Sequence, residues 1–139
     1  MVSHVHSETG MSLDLHELSV LCKVRELNLA VDVTQSMGKV GSGWDLGSPE
    51  FIVGSAHKMG GVQGLGVLVD YKGQLSHALI HGGAQQKGLR SGTINAVGII
   101  HWARQWSKYC QKNWHSMWES VNQACFDGLG EGHCCAPPA

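Results

Sequence analysis

Short apolar runs, separated by glycines and polar residues, constrain the fold of this chain more than any other feature. They occupy residues 29–33, 51–55, 67–69 and 78–80. Runs of this length are typical of strands that are buried on both faces of a sheet. One helical pattern precedes the first run and another follows the last run. The alternation predicts an α/β layer architecture with helices on both faces of the sheet.

Two segments carry apolar residues at helical spacing. The first covers residues 13–27, with Ser12 in the N-cap position. The second covers residues 95–129 and predicts one long helix. Its tryptophans form a stripe that we interpret as core or interface rather than as a ligand-binding surface. The stripe consists of Trp102, Trp106, Trp114 and Trp118.

The remaining organisation is simple. Residues 1–6 predict a further short strand, and Trp44 is expected to anchor the glycine- and serine-rich loop at 38–49. The chain has 139 residues and no evident linker, which predicts one domain at 1–129 followed by a tail at 130–139.

Charge and cysteine usage exclude several classes of protein. The net charge of −1 provides no basic surface for nucleic acid. The chain has neither a signal peptide nor an apolar run of about 20 residues, so we expect no membrane association. Five irregularly spaced cysteines predict a reducing compartment, the cytoplasm or an organelle matrix. His133, Cys134 and Cys135 lack the spacing of zinc ligands, and we predict no metal site.

Polar groups with catalytic potential follow the predicted strands. Asp32 ends one strand, the segment 55–58 ends the next, and the loop 81–93 ends in a threonine. Ligands of open α/β sheets bind at the carboxyl ends of strands. A lysine such as Lys58, held beside a strand end, can form a Schiff base with a carbonyl cofactor. Many α/β proteins carry such groups, so this inventory by itself assigns no cofactor.

The amino-acid sequences of four segments point to a particular cofactor. Residues 4–10 (HVHSETG), 31–39 (VDVTQSMGK), 54–66 (GSAHKMGGVQGLG) and 81–93 (HGGAQQKGLRSGT) resemble segments of cysteine desulfurases in the class V aminotransferase family, in the family's order. The resemblance covers roughly residues 2–100. It implies part of the large domain of a fold type I transferase that depends on pyridoxal 5′-phosphate (PLP). Such a domain is a mixed, mostly parallel sheet flanked by helices, here followed by one long helix.

The resemblance implies roles for three residues at the heart of a PLP site. Lys58 would form the internal aldimine and later move protons. Asp32 would pair with the pyridine nitrogen, whose protonation lets PLP act as an electron sink. Gln35 would contact the phenolic oxygen.

Four further cofactor contacts follow from the same resemblance. Ser55 and His57 would hold the phosphate, and Thr93 would reach the phosphate of the partner subunit in a homodimer. His6 stands where the family usually has an asparagine that contacts the cofactor.

Each of these residues also has a structural interpretation. Asp32 suits a turn cap after its strand, and Thr93 suits the N-cap of the long helix. His57 could be a satisfied core histidine, His6 a plain strand-end residue, and Lys58 an ordinary surface lysine. The N-cap and phosphate roles of Thr93 are compatible, because helix N-termini favour phosphate.

The implied reaction removes sulfur from L-cysteine and leaves alanine, with a persulfide that passes to an acceptor such as an iron–sulfur scaffold protein. The family's persulfide loop is rich in serine and alanine, and residues 132–138 do not match it. We therefore expect a chain that is incomplete by comparison with the family. The alternatives are a non-catalytic remnant that binds a partner, and a selenocysteine lyase or another class V enzyme.

Overall fold

The computed structural model of the protein describes residues 1–40 and 49–129. Within these ranges the chain forms four strands and three α-helices. In chain order they are β1 (Val2–Ser3), α1 (Leu15–Val24), β2 (Ala30–Asp32), β3 (Phe51–Ser55), β4 (Gly66–Asp70), α2 (Ala96–Cys110) and α3 (Trp114–Leu129). Trp44, residues 130–139 and the cysteines predicted not to bind metal all lie outside the described residues.

The strands form one sheet in the order β1-β2-β3-β4. The first three are parallel, and β4 runs antiparallel to β3. A crossover through α1 joins β1 to β2, as parallel pairing requires. Asp32 is paired with Ser3 on one side and with Val53 on the other. The mixed, mostly parallel sheet is confirmed, and the carboxyl ends of β1, β2 and β3 meet at one edge.

The core lies on one face of the sheet. Val31 is fully buried, and Ile52, its partner in the neighbouring strand, is 3% exposed. Side chains of α1 and α2 pack against this cluster. The opposite face is more open among the described residues, since Leu68 is 53% exposed. Alternation along β2 directs Asp32 away from the face that carries Val31.

Helix α1 begins later than the sequence pattern predicts. Its N-cap is Asp14, whose side chain accepts a hydrogen bond from the backbone N–H of Glu17 at 3.0 Å. Ser12 is not the cap, because it pairs with Val5 in an isolated antiparallel bridge. The backbone N–H of Leu13 also donates to the carbonyl of His4 at 2.9 Å. This pairing holds the segment extended until Asp14.

The single long helix predicted for residues 95–129 is wrong. The helix breaks after Cys110, and α3 begins at Trp114. Asn113 caps the new helix, since its side chain accepts from the backbone N–H of Ser116 at 3.0 Å. Trp102 and Trp106 are partly buried against the core, as the interpretation of the stripe requires. The side chain of Trp118 lies outside the described set.

The strand predicted at 78–80 is also wrong. Only Ile80 pairs there, in an isolated bridge with Arg90, and Leu79 is 91% exposed. A run of three apolar residues does not form a strand when only one of them pairs with a neighbouring segment. Among the described helices, none is long and apolar enough to cross a membrane.

Candidate functional site at the carboxyl edge of the sheet

The candidate residues cluster because neighbouring parallel strands end together. Asp32 is the last residue of β2 and Ser55 is the last residue of β3. The register pairs Asp32 with Val53, so Ser55 lies two residues further along. With strands about 4.8 Å apart and a rise of about 3.3 Å per residue, the two Cα atoms lie roughly 8 Å apart.

A cleft of about 260 Å³ opens beside the ends of β1 and β2. It is somewhat smaller than the range of about 300–1,000 Å³ that is usual for small-molecule sites. His6, Asp32 and Gln35, three of the predicted cofactor contacts, share this cleft. Its full lining is Ser3, Val5, His6, Ser7, Asp32, Thr34 and Gln35. Ser7 and Thr34 were not among the cofactor contacts predicted from the sequence.

Asp32 caps the turn that follows β2, as its structural interpretation predicted. Its Oδ1 accepts from the backbone N–H of Thr34 at 2.8 Å, and the residue is half-buried. Among the described residues, Oδ2 accepts no hydrogen bond. The turn therefore fixes the carboxylate through one oxygen and leaves the other for a ligand, so the two roles are compatible.

His6 holds the turn that follows β1. Its Nδ1 accepts from the backbone N–H of Thr9 at 3.3 Å and pairs with the Thr9 hydroxyl at 3.1 Å. The backbone N–H of Gly10 donates to the carbonyl of His6 at 3.0 Å. Because Nδ1 accepts, the ring proton lies on Nε2, which remains a donor.

Ser55 and His57 form a hydrogen-bonded pair at the end of β3. Their Oγ and Nδ1 atoms are 2.8 Å apart. The chain turns here through a 3-10 helix, Ala56–Met59, that ends at Gly60 with a φ of 74°. His57 is exposed, which excludes its interpretation as a core histidine. The turn therefore presents two polar side chains at the site edge.

Lys58 lies on the same 3-10 turn, and its side chain is exposed. Its backbone carbonyl accepts from the Tyr109 hydroxyl at 2.9 Å. Burial lowers the pKa of Lys39, and the positive charge of Lys58 lowers that pKa further. Lys58 itself does not line the cleft that contains Asp32.

Thr93, in the loop before α2, is the last of the predicted residues along the chain. It is exposed and absent from the lining of the cleft. Its prediction as a helix N-cap is wrong, because Asn95 caps α2 by accepting from the backbone N–H of Gly98 at 2.9 Å. The preceding loop is held by the buried Ser91, whose hydroxyl contacts the carbonyls of Ile80 and His81.

A second pair, which the sequence did not reveal, supports the turn after Asp32. His4 Nδ1 lies 2.8 Å from the hydroxyl of the fully buried Ser36. The backbone N–H of His4 donates to the carbonyl of Asp32 at 2.9 Å. Burial lowers the pKa of His4 below its ordinary value of 6.5. The pair joins the end of β1 to the turn that bears Gln35.

Comparisons with known proteins extend this description. The Aminotransferase class-V family matches residues 1–121. The cysteine desulfurase IscS of Dictyoglomus turgidum is 35% identical over 99 residues, and that of Tolumonas auensis is 38% identical over 101. Each alignment covers 71% of this chain and 25% of the relative. A solved NifS-like protein superposes with a TM-score of 0.78 at 29% identity, over 92% of this chain and 37% of its own.

Proposed function

Since the chain belongs to the class V aminotransferase family, we propose that its carboxyl edge is the PLP-binding part of a cysteine desulfurase. The observation that carries the proposal is the grouping of complementary side chains on adjacent strand ends. Lys58 and the Ser55–His57 pair follow β3, and the Asp32 carboxylate ends β2. The chain spans about 25% of the length of the curated relatives that it matches, so the activity, substrates and partners of a whole enzyme belong to the proposal.

The Ser55–His57 pair has the chemistry to hold a phosphate. If the serine hydroxyl donates to Nδ1, the imidazole carries its proton on Nε2 and donates from there. If Nδ1 donates instead, the hydroxyl hydrogen of Ser55 is available. Either arrangement offers a donor to an anion, and a protonated imidazole makes both groups donors. Phosphate oxygens accept such hydrogen bonds strongly.

The cleft residues fit the ring of the cofactor. Asp32 has one oxygen fixed by Thr34 and one available, which suits a carboxylate that pairs with a pyridinium nitrogen. In the proposal, Gln35 contacts the phenolic oxygen, and His6 donates from Nε2 in place of the family's asparagine. PLP, when bound, would supply the electron sink, while these residues would orient it and hold its charges.

Lys58 is the proposed point of covalent attachment. Its exposed amine stands on a turn held between β3 and β4, close to a second lysine. In its neutral form a lysine amine can attack a carbonyl cofactor and form a Schiff base. We propose that the same amine holds and moves protons during the reaction.

The whole-enzyme reaction that we propose takes sulfur from L-cysteine, leaves alanine and passes a persulfide to an acceptor such as an iron–sulfur scaffold protein. The proposal includes a homodimer in which Thr93 reaches the partner subunit's phosphate. Residues 1–129 would form part of the PLP-binding large domain, with 130–139 as a tail. Support comes from the likeness to proteins named cysteine desulfurases, not from a bound substrate.

The experiment is a PLP titration of the full chain, followed by visible absorption. The wild type should bind PLP saturably, Lys58→Ala should lose the covalent spectrum, and Lys23→Ala should match the wild type. Lys23 is a suitable control because it is exposed on the last turn of α1. Equal spectra for wild type and Lys58→Ala would refute the site.

Product assays then separate the possible activities. Alanine released from L-cysteine above the Lys58→Ala background supports desulfuration by this chain. Faster release from selenocysteine would indicate a lyase of that class. PLP binding without alanine from either amino acid would favour a non-catalytic remnant that binds a partner.

A further inference from the structure

We propose that Tyr109 and Trp114, at the break between α2 and α3, are positioning residues that hold the backbone turn of Lys58 against the turn that follows Asp32. The two residues are called the helix-break clamp below. This inference rests on the proposed PLP site and adds a device that acts on it. The clamp contacts the backbone rather than the side chains proposed to bind PLP. It would therefore act through the turns that carry those side chains.

Tyr109 contacts both turns at once. Its hydroxyl donates to the carbonyl of Lys58 at 2.9 Å. Its ring lies so close to the backbone at Gly38 that a Cβ added there would meet Cδ1 at 3.3 Å. A Cβ at Gly60 would lie 4.0 Å from Cδ2 on the same ring. One aromatic ring therefore fills the space between the turn of Lys58 and the turn that ends at Lys39.

Glycine at both contact points permits this approach. Gly38 has a φ of 75° and Gly60 a φ of 74°. A side chain at either position would be strained, and at Gly38 it would also press on the tyrosine ring. Burial raises the pKa of Tyr109, so the phenol stays protonated and keeps its proton for the Lys58 carbonyl.

Trp114 fastens the second turn independently. Its indole Nε1 donates to the carbonyl of Gly38 at 2.8 Å. The rings of Tyr109 and Trp114 pack with centroids 4.6 Å apart. The ammonium of Lys112 lies 5.3 Å from the first centroid and 5.2 Å from the second, within the range of a cation–π contact. These three side chains meet at the break, since α2 ends at Cys110 and α3 begins at Trp114.

The contacts of the clamp lie on the two turns whose relative position matters for the proposed site. Burial, and next the positive charge of Lys58, lower the pKa of the half-buried Lys39 on the second turn. Misplacement of a reacting group by about 1 Å is enough to reduce its effectiveness strongly. A clamp on both backbones would fix the backbone of Lys58 relative to the turn that follows Asp32.

The test compares Tyr109→Phe with Tyr71→Phe in the full chain. Tyr71 is 45% exposed and lies just after β4, so its variant controls for loss of a phenol elsewhere. The reporters are the backbone amides of Gly60 and Gly61, which donate to the carbonyl of Ala56. With one hydrogen bond removed, Tyr109→Phe should speed their hydrogen exchange by roughly two- to tenfold. It should weaken PLP binding by a similar factor.

Trp114→Phe provides a second variant. It should speed exchange at the amides of Lys39 and Val40, which donate to the carbonyl of Ser36, rather than at Gly60. Amides of β3 should be unaffected in both variants. Unchanged exchange at the reporters would overturn the clamp. Faster exchange throughout the sheet would also overturn it, because the two residues would then only stabilise the fold.

The PLP measurement separates the two proposals. If wild type binds PLP and Tyr109→Phe binds it equally well, the clamp fails while the proposed function stands. If wild type binds no PLP, the proposed function fails and the positioning role fails with it. Weaker binding by Tyr109→Phe, with normal binding by Tyr71→Phe, is the result expected.

Discussion

Glu50 is expected to be the most important charged residue for the stability of the sheet. It is 5% exposed and precedes β3. Its Oε2 accepts from the backbone N–H of Leu29 at 2.7 Å, and its Oε1 accepts from Lys72 at 2.7 Å. Its backbone N–H donates to the carbonyl of Leu29, and its carbonyl accepts from Tyr71. One residue thus joins the starts of β2 and β3 to the turn after β4.

The two hydrogen bonds of the Glu50 side chain contribute differently to the free energy of unfolding. Removing the carboxylate leaves the Leu29 N–H unpaired in a buried position, which costs about 1–3 kcal/mol. The ion pair contributes about 0–1 kcal/mol, because the Lys72 side chain is 57% exposed. Glu50→Ala should therefore lower the free energy of unfolding by about 2–3 kcal/mol. Lys72→Met removes only the ion pair and should cost less than about 1 kcal/mol.

Urea unfolding followed by tryptophan fluorescence measures both variants. The hydrogen bond from Lys72, and next that from Leu29, lower the pKa of Glu50 below its ordinary value of 4.5. A group with a depressed folded-state pKa stabilises above its unfolded pKa and loses that contribution as the pH falls through the folded value. The deficit of Glu50→Ala should therefore be full above pH 4.5 and shrink below it. A cost no larger than that of Lys72→Met would refute the reasoning.

Three further predictions concern the site. Burial lowers the pKa of His4, so the contribution of the neutral imidazole to stability is full above pH 6.5 and is lost as the pH falls through the lower folded value. In that window the unfolding free energy of His4→Gln should depend less on pH than that of the wild type, by at most about 1.4 kcal/mol per pH unit. Equal pH profiles for the two proteins would contradict this. Ser91→Ala should cost about 1 kcal/mol in urea unfolding, against almost nothing for the exposed Ser76→Ala, and equal costs would count against the buried anchor. Asp32→Asn keeps an oxygen for the Thr34 amide, so unfolding should change little while PLP binding weakens roughly tenfold; unaltered PLP affinity would remove Asp32 from the site.

The four strands β1–β4 and the placement of Asp32 and Ser55 could be predicted from the sequence. Both residues end short apolar runs, and parallel strands bring such ends to one edge of the sheet. The pattern needed no knowledge of distant contacts, because the apolar character of a run is read from the local sequence. The family resemblance added the identity of a cofactor, which the residue inventory alone did not supply.

Contacts between distant residues account for what the sequence did not reveal. Tyr109 and Lys58 are 51 residues apart, and His4 and Ser36 are 32 apart. The break before α3 escaped notice because apolar spacing continues through it, and Asn113 carries the only local signal. Two other errors, at Ser12 and at 78–80, also arise from pairing that no local pattern encodes.

Covalent capture of PLP tests the central claim most directly. The full chain is incubated with PLP, reduced with borohydride, digested and mapped by mass spectrometry. The account predicts the label on Lys58, in clear excess over the neighbouring Lys39, and no such label in Lys58→Ala. Label spread over surface lysines, unchanged in Lys58→Ala, would contradict it.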